Sequence, residues 1–220
     1  MEGEIKQYAT GSILPLGDGA TGKTVLTRLL LNPHMESIEH GDILFNTSKS
    51  YNIEIEFSSD VVDVNGEEIT TSLQFYVFPG QRQQASTSTT SFDEILAIFD
   101  CFPAMEKINV ILFLHDASRF HTLTSLEMWL RFSIVKNWIG ENTLIILVTN
   151  KIDLIQPKEE DVKQVCSSMY KLIKEHEFPI EEDQIQAIST SCVSLEGVKE
   201  LREEIISWVA RKGIKMRGIR

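Results

Sequence analysis

Gly17-Asp18-Gly19-Ala20-Thr21-Gly22-Lys23-Thr24 fits the pattern G-x-x-x-x-G-K-[ST] in full. The chemistry such a run serves is phosphate binding. Glycines let the main chain wrap closely around anionic oxygens, and successive N–H groups at a helix start point at the anion. Asp18, Gly19, Ala20, Thr21, Gly22 and Val25 are expected to line the phosphates, with Lys23 reaching the β- and γ-phosphates and the Thr24 hydroxyl on Mg²⁺. The plain alternative is a glycine-rich turn with an exposed lysine. The loop alone does not choose between ATP and GTP.

A second motif makes that choice. Asn150-Lys151-Ile152-Asp153 follows the apolar run Leu144 to Val148 directly. Ligands of open α/β sheets bind beyond the carboxyl ends of strands. A carboxylate at Asp153 can accept hydrogen bonds from N1–H and the exocyclic amine of guanine. Adenine lacks that donor pair and would leave the carboxylate unmatched in a desolvated site. Lys151 can lay its aliphatic stem along the base. Four such residues alone are equally a charged loop after a strand; their order after the first motif gives them weight.

These residues need a frame, and the rest of the chain describes one. It has 220 residues, 42% hydrophobic and 24% charged, which suits one domain around a single large core. Strand-like apolar runs alternate with amphipathic helical stretches, the pattern of an α/β sheet with helices on both faces. Ser12 to Leu16 reads as a short buried strand and Thr24 to Leu31 as the helix after it. Ile53, Ile55 and Phe57 alternate with Glu54 and Glu56, and Asn65-Gly66 marks a hairpin whose returning strand carries Leu73, Phe75 and Val77. Val110 to Leu114 and Leu144 to Val148 are continuously apolar, as strands buried on both faces are. Helices are expected over Ser125 to Trp138 and Val162 to His176, then a strand over Ile185 to Ile188. A final helix faces inward with Leu195, Val198, Leu201, Ile205 and Val209 and ends near Gly213. The expectation is a mixed six-stranded sheet with one antiparallel strand. Pro15 requires its strand to be short or distorted there.

Composition excludes several classes. Twenty-one basic against 32 acidic residues give a net charge of −11, a poor match to nucleic acid. No apolar run reaches the roughly 20 residues that span a bilayer. The acidic start MEGEIKQ is not a secretory signal. Three dispersed cysteines (Cys101, Cys166, Cys192) support neither a disulfide framework nor a zinc cluster, and a reducing, cytoplasmic setting is the simple inference. The histidines (34, 40, 115, 121 and 176) have no metal spacing and read as structural.

At this point the chain resembles the Ras-like small GTPases, over nearly its whole length. The resemblance rests on the phosphate loop, the hairpin, Gly80, Asn-Lys-x-Asp and the run Thr190-Ser191-Cys192-Val193-Ser194-Leu195-Glu196-Gly197-Val198. That run looks like the family's Thr-Ser-Ala-Lys base-contacting loop, with Ser191, Cys192 and Val193 at its contacting positions. It implies the Cys192 N–H on guanine O6, whereas Val193 replaces the usual lysine and loses its stacking role. The plain alternative is a strand-to-helix connection. The resemblance also implies a P-loop G domain over residues 1–213, with GTP or GDP and Mg²⁺ as cofactors.

Phe78-Pro79-Gly80-Gln81 occupies the switch II position, where the family pattern is Asp-x-x-Gly-Gln. Val77 stands in place of the aspartate that holds Mg²⁺ through a water, so the metal shell is thinner. Gly80 can still offer its N–H to the γ-phosphate, and Gln81 is placed to orient the attacking water as the catalytic residue. This segment looks like the bacterial gliding-motility (MglA-type) branch and its archaeal relatives. Switch I falls in Phe45-Asn46-Thr47-Ser48-Lys49-Ser50, where one hydroxyl should ligate Mg²⁺; Thr47 is the first candidate and Ser50 the second.

Residues 82–107 exceed the family's usual link. Ser91-Phe92-Asp93-Glu94 reads as a capping box ahead of a helix bearing Phe92, Ile95, Leu96 and Phe99, either a partner-binding helix or one packed on the sheet. Arg82 is either a charge for the transition state or a solvated arginine, the latter being plainer. Residues 211–220 carry five basic residues and no acid; a terminal basic tail over 214–220 is expected, frayed or touching a membrane surface reversibly. No prenylation cysteine or position-2 glycine is present.

The sequence therefore points to a switch that hydrolyses GTP slowly without an activator. Its expected partners are guanine nucleotide and, through the switches, effector, activator and exchange proteins, roadblock-type proteins among the candidates. A guanine-nucleotide-binding scaffold without catalysis is the second reading, and an adenine-dependent P-loop ATPase or kinase the third.

Overall fold

Apolar patterning sorts the strands by how many faces they bury. A computed structural model describes residues 5–32, 54–77 and 108–219. Seven strands are found there: β1 (Ile5–Leu16), β2 (Glu54–Val64), β3 (Glu67–Val77), β4 (Val110–Asp116), β5 (Leu144–Asn150), β6 (Ile185–Thr190) and β7 (Ile214–Ile219). The helices are α1 (Lys23–Leu31), α2 (Phe120–Thr124), α3 (Leu126–Val135), α4 (Glu159–Glu175) and α5 (Val198–Lys212).

The continuously apolar β4 and β5 feed a core on each side of the sheet. Val110, Leu112, Leu114, Leu144, Ile146 and Val148 face α1 and α5. Ile111, Phe113, Ile145 and Leu147 face α3 and α4. The protein is therefore an α/β fold with helices on both faces of a mixed sheet. No helix among the described residues is long and apolar enough to cross a membrane.

Six strands run in the order β2-β3-β1-β4-β5-β6, with β2 antiparallel to β3 and the other neighbours on this path parallel. The β2–β3 hairpin turns on Asn65 and Gly66, both at positive φ (58° and 84°), as a two-residue turn of this hand requires. β1 is longer than the short strand expected from its apolar run. Its first half pairs with β3 up to Ile13↔Phe75, and its last residues pair with β4 from Ile13↔Val110. Pro15 lies beyond the end of the β3 ladder, so its missing N–H falls where only one neighbouring strand is paired.

That arrangement leaves one edge of Ile5–Thr10 in need of partners. Residues 214–219, expected as a basic tail, supply them: β7 runs antiparallel along β1 from Ile5↔Ile219 to Thr10↔Ile214. The sheet thus gains a seventh strand and a second antiparallel pairing. The turn from α5 into β7 is tight, because a Cβ on Gly213 would lie 2.6 Å from the Val209 oxygen and 2.8 Å from the Thr10 oxygen. The single helix expected over Ser125 to Trp138 is also revised. Ser125 separates α2 from α3, and the second helix ends at Val135.

α5 crosses β1 so closely that Gly11 leaves no room for a side chain. A Cβ there would meet Val209 Cγ2 at 2.5 Å and Cγ1 at 2.8 Å. Gly11→Ala should therefore overpack this contact and cost about 1–3 kcal/mol. The urea midpoint should fall at unchanged slope.

Candidate functional site

The carboxyl ends of the parallel strands place the chemistry-bearing residues in one row. Asp116 of β4 pairs in register with Asn150 of β5, and Asn150 with Thr190 of β6. The Gly17–Thr24 loop leaves β1 beside them and runs into α1. Gly17 has φ 139° and Gly22 φ 102°, left-handed backbone that favours glycine. Side chains there would also collide: a Cβ on Gly17 would sit 2.2 Å from the Leu114 oxygen, and one on Gly22 2.2 Å from Asn150 Nδ2.

Inside the loop lies Lys23, 8% exposed, whose ammonium donates to the Gly17 and Asp18 carbonyls at 2.6 Å each. Burial lowers its pKa to about 8, against the opposing pull of the Asp18 carboxylate, so it is charged at neutral pH. The first turn of α1 holds no acid, which leaves the positive end of that helix uncompensated by its own side chains.

The outside of the loop is held by three side chains on three consecutive carbonyls. Arg119 Nη2 donates to Gly19 O at 3.3 Å, Lys151 Nζ to Ala20 O at 2.9 Å, and Asn150 Nδ2 to Thr21 O at 2.8 Å. Peptide planarity turns the following N–H groups, those of Ala20, Thr21 and Gly22, to the opposite side. None of these amides is bonded among the described residues. A buried ammonium, three free amides and an acid-free helix start together fit a phosphate group.

Asp116 anchors two of those three donors. It is 1% exposed, and its Oδ2 accepts from Lys151 Nζ and Arg119 Nε, both at 2.7 Å. Its Oδ1 accepts from the Ser118 N–H at 2.9 Å and hydroxyl at 2.6 Å. Burial alone would raise its pKa. The hydrogen bonds from Lys151, Ser118 and Arg119 outweigh burial and hold it well below the usual carboxylate range. Lys151 reaches the loop from a backbone at φ 67°, uncommon for a residue with a side chain.

Asp153 and the β6–α5 loop form the other end. Asp153 is exposed, and its Oδ1 accepts from the Ser191 hydroxyl at 2.5 Å. That buried hydroxyl also accepts from the N–H groups of Val193 and Ser194 at 3.1 and 3.0 Å, which shapes the turn. The Cys192 N–H donates to none of the described residues. Its thiol is buried and lies 3.5 Å from Asn150 Oδ1; burial pushes its pKa up to about 11. Asn150 Oδ1 also accepts from Thr190 Oγ1 at 3.2 Å.

The structure thus brings together Gly19, Ala20, Thr21, Gly22, Lys23, Asn150 and Lys151, with Asp153, Ser191 and Cys192 on the adjoining strand ends. Thr24 stands half-buried next to Lys23. Its hydroxyl could give an oxygen to Mg²⁺, a metal that takes few protein ligands beside phosphate and water. Among the described residues no group of three or more His, Cys, Asp or Glu is arranged to hold a metal. Val193 is 56% exposed, Val25 packs against the α1–α5 core, and the Asp18 carboxylate is turned toward α3. Gly80, Gln81, Thr47 and Ser50 lie outside the described residues.

Asp116 and Arg119 were not expected here. Their one sequence signal is an acid closing the apolar run Val110 to Leu114, with a cation three residues on. No protein-family model matches the chain, and neither does any curated protein.

His115, beside Asp116, gives the region a measurable acid limit. It is buried with Nε2 2.7 Å from Thr149 Oγ1. Burial lowers its pKa from 6.5 to about 4, although Asp116 pulls the other way. Between those values the unfolded chain binds more protons, so stability is complete above pH 6.5 and falls as pH drops toward 4. The expected loss, followed by denaturant melts, is on the order of 3 kcal/mol. His115→Gln should flatten this limb. The Asp116 contribution is lost only below its ordinary value of 3.8.

Proposed function

We propose that this chain is a guanine-nucleotide-binding switch of the Ras-like small GTPase type, with a P-loop G domain, GTP or GDP and Mg²⁺ as its cofactors, and slow GTP hydrolysis as its activity. One observation carries the reading. Asn150 and Lys151 bond directly to the carbonyls of Thr21 and Ala20, 129 and 131 positions away. The two sequence motifs are therefore two walls of one site. One wall offers amides and an ammonium to phosphate; the other offers the Asp153 carboxylate and the Cys192 amide to a purine edge.

The roles of the described residues rest on their placement, and those of Thr47, Ser50, Gly80 and Gln81 on the resemblance alone. Lys23 and the Ala20, Thr21 and Gly22 amides bind the β- and γ-phosphates. Thr24, with Thr47 or Ser50, holds Mg²⁺, which when bound neutralises charge on the phosphates. Asp153 accepts the N1–H and amine of guanine, Ser191 steadies that carboxylate, and the Cys192 N–H faces O6. Gly80 meets the γ-phosphate and Gln81 orients the attacking water. Effector, activator and exchange proteins would read the switch segments.

A scaffold that binds guanine nucleotide without hydrolysing it is the second reading. Val77, at the position of the metal-linked aspartate, is buried in the core between β3 and the helices, so it brings no oxygen to the site.

Asp153→Ala should weaken GDP binding by at least about a hundredfold and abolish preference over ADP, read by competition titration. GDP and ADP bound alike by the wild type would remove the guanine assignment. In single-turnover assays, Gln81→Ala should slow GTP loss at least about tenfold. Equal rates for variant and wild type would favour the scaffold.

A further inference from the structure

A carboxylate within a loop that receives phosphate is electrostatically out of place. Asp18 is such a residue, and nothing in the nucleotide-binding roles uses its side chain. Its Oδ2 lies 2.7 Å from the Ser125 hydroxyl, and its Oδ1 accepts from Trp129 Nε1–H at 3.0 Å. These donors sit at the α2–α3 junction and in the first turn of α3, 107 and 111 positions further on.

The indole is a fixed post. Trp129 is 5% exposed and stands edge-on to Phe132 at 6.3 Å between ring centroids, and Phe132 stands edge-on to Trp138 at 5.2 Å. The main chain of Asp18 is gripped from the other side. Its carbonyl accepts from Lys23 Nζ at 2.6 Å and from Thr21 Oγ1 at 3.0 Å. One residue thus joins the loop's lysine to the core of α3.

We propose that Asp18 is a positioning residue: its bonds to Ser125 and Trp129 latch the phosphate loop to α3, hold the Lys23 ammonium in its binding place, and make α3 sense whether the loop is filled. The inference rests on the loop binding phosphate, as argued above, but not on the identity of the base. An unlatched loop must be ordered at the moment of binding, so affinity falls. Because Trp129 touches the loop through its N–H, its emission should change when phosphate arrives.

The test uses the full chain with GDP, ADP and pyrophosphate as probes, in wild type, Asp18→Ala, Trp129→Phe, their double variant and Asp18→Asn. The amide of Asp18→Asn can still accept from the indole and donate to Ser125, so it keeps the latch without the charge. Trp129→Phe should weaken GDP about tenfold, the worth of one buried hydrogen bond, and Asp18→Ala, which removes two, at least as much. The double variant should be no weaker than Asp18→Ala, and Asp18→Asn should stay within about threefold of wild type. Hydrogen exchange of the amides of residues 18–24 should quicken in both single variants without nucleotide. GDP should shift wild-type tryptophan emission but not that of Trp129→Phe. If Asp18→Ala does not fold, Trp129→Phe against Asp18→Asn carries the comparison.

Wild-type affinity and exchange in the folded Asp18→Ala and Trp129→Phe proteins, or fully additive losses, would overturn the latch while leaving the nucleotide reading intact. ADP binding as tight as GDP would overturn the guanine reading, and the latch would then be judged on the ADP values. A wild type that binds none of the three probes overturns both.

Discussion

The Asp116 carboxylate sets the shape of this end of the molecule. Burying a charge is costly unless it is paired and fully hydrogen-bonded. Asp116 meets that demand with two cations, an amide and a hydroxyl. Lys151 and Arg119 are therefore not free to wander, and each also donates to a carbonyl of the neighbouring loop. A requirement of burial becomes a constraint on a loop far upstream in the chain.

The loop's electrostatics follow from that constraint. With the Gly19, Ala20 and Thr21 carbonyls occupied from outside, the next amides face inward with no partner among the described residues. Orientation is settled during folding rather than at binding, the condition under which dipoles act most strongly on an anion. Lys23 completes the arrangement at little cost, because its ammonium rests on two loop carbonyls and keeps its proton at neutral pH. A phosphate would exchange these neutral partners for a charged one.

The sheet exists in the form this site needs. β4, β5 and β6 end in register, which lines up Asp116, Asn150 and Thr190. β1 delivers the loop toward the same level, with Leu16 paired to Phe113, which lies in β4 ahead of Asp116. Far from the site, the long first half of β1 is secured by β3 on one edge and β7 on the other. Arg202 of α5 bonds to the Leu30 carbonyl at the end of α1 and pairs with Asp60 of β2, tying the first helix to the hairpin.

Much of this was legible in the residues themselves. Continuous apolar runs placed β4 and β5, Asn65-Gly66 placed the hairpin, and the loop and Asn-Lys-x-Asp motifs marked the two segments that meet at the candidate site, because each depends on local spacing. Signals between distant residues were not legible. Asp116 and Arg119 look like an ordinary acid and base after a strand, and Asp18 looks like one more loop residue, until the fold brings Lys151, Gly19 and Trp129 against them. The basic residues 211–220 have the composition of a solvated tail; only the unpaired edge left by β1 makes a strand of Ile214–Ile219. The sequence by itself determined which segments can bury an apolar face and which can bend around an anion, since periodicity and glycine act within a few residues. Tertiary structure alone decided which charges meet, because the energy of a buried carboxylate or an open strand edge depends on neighbours that chain order does not reveal.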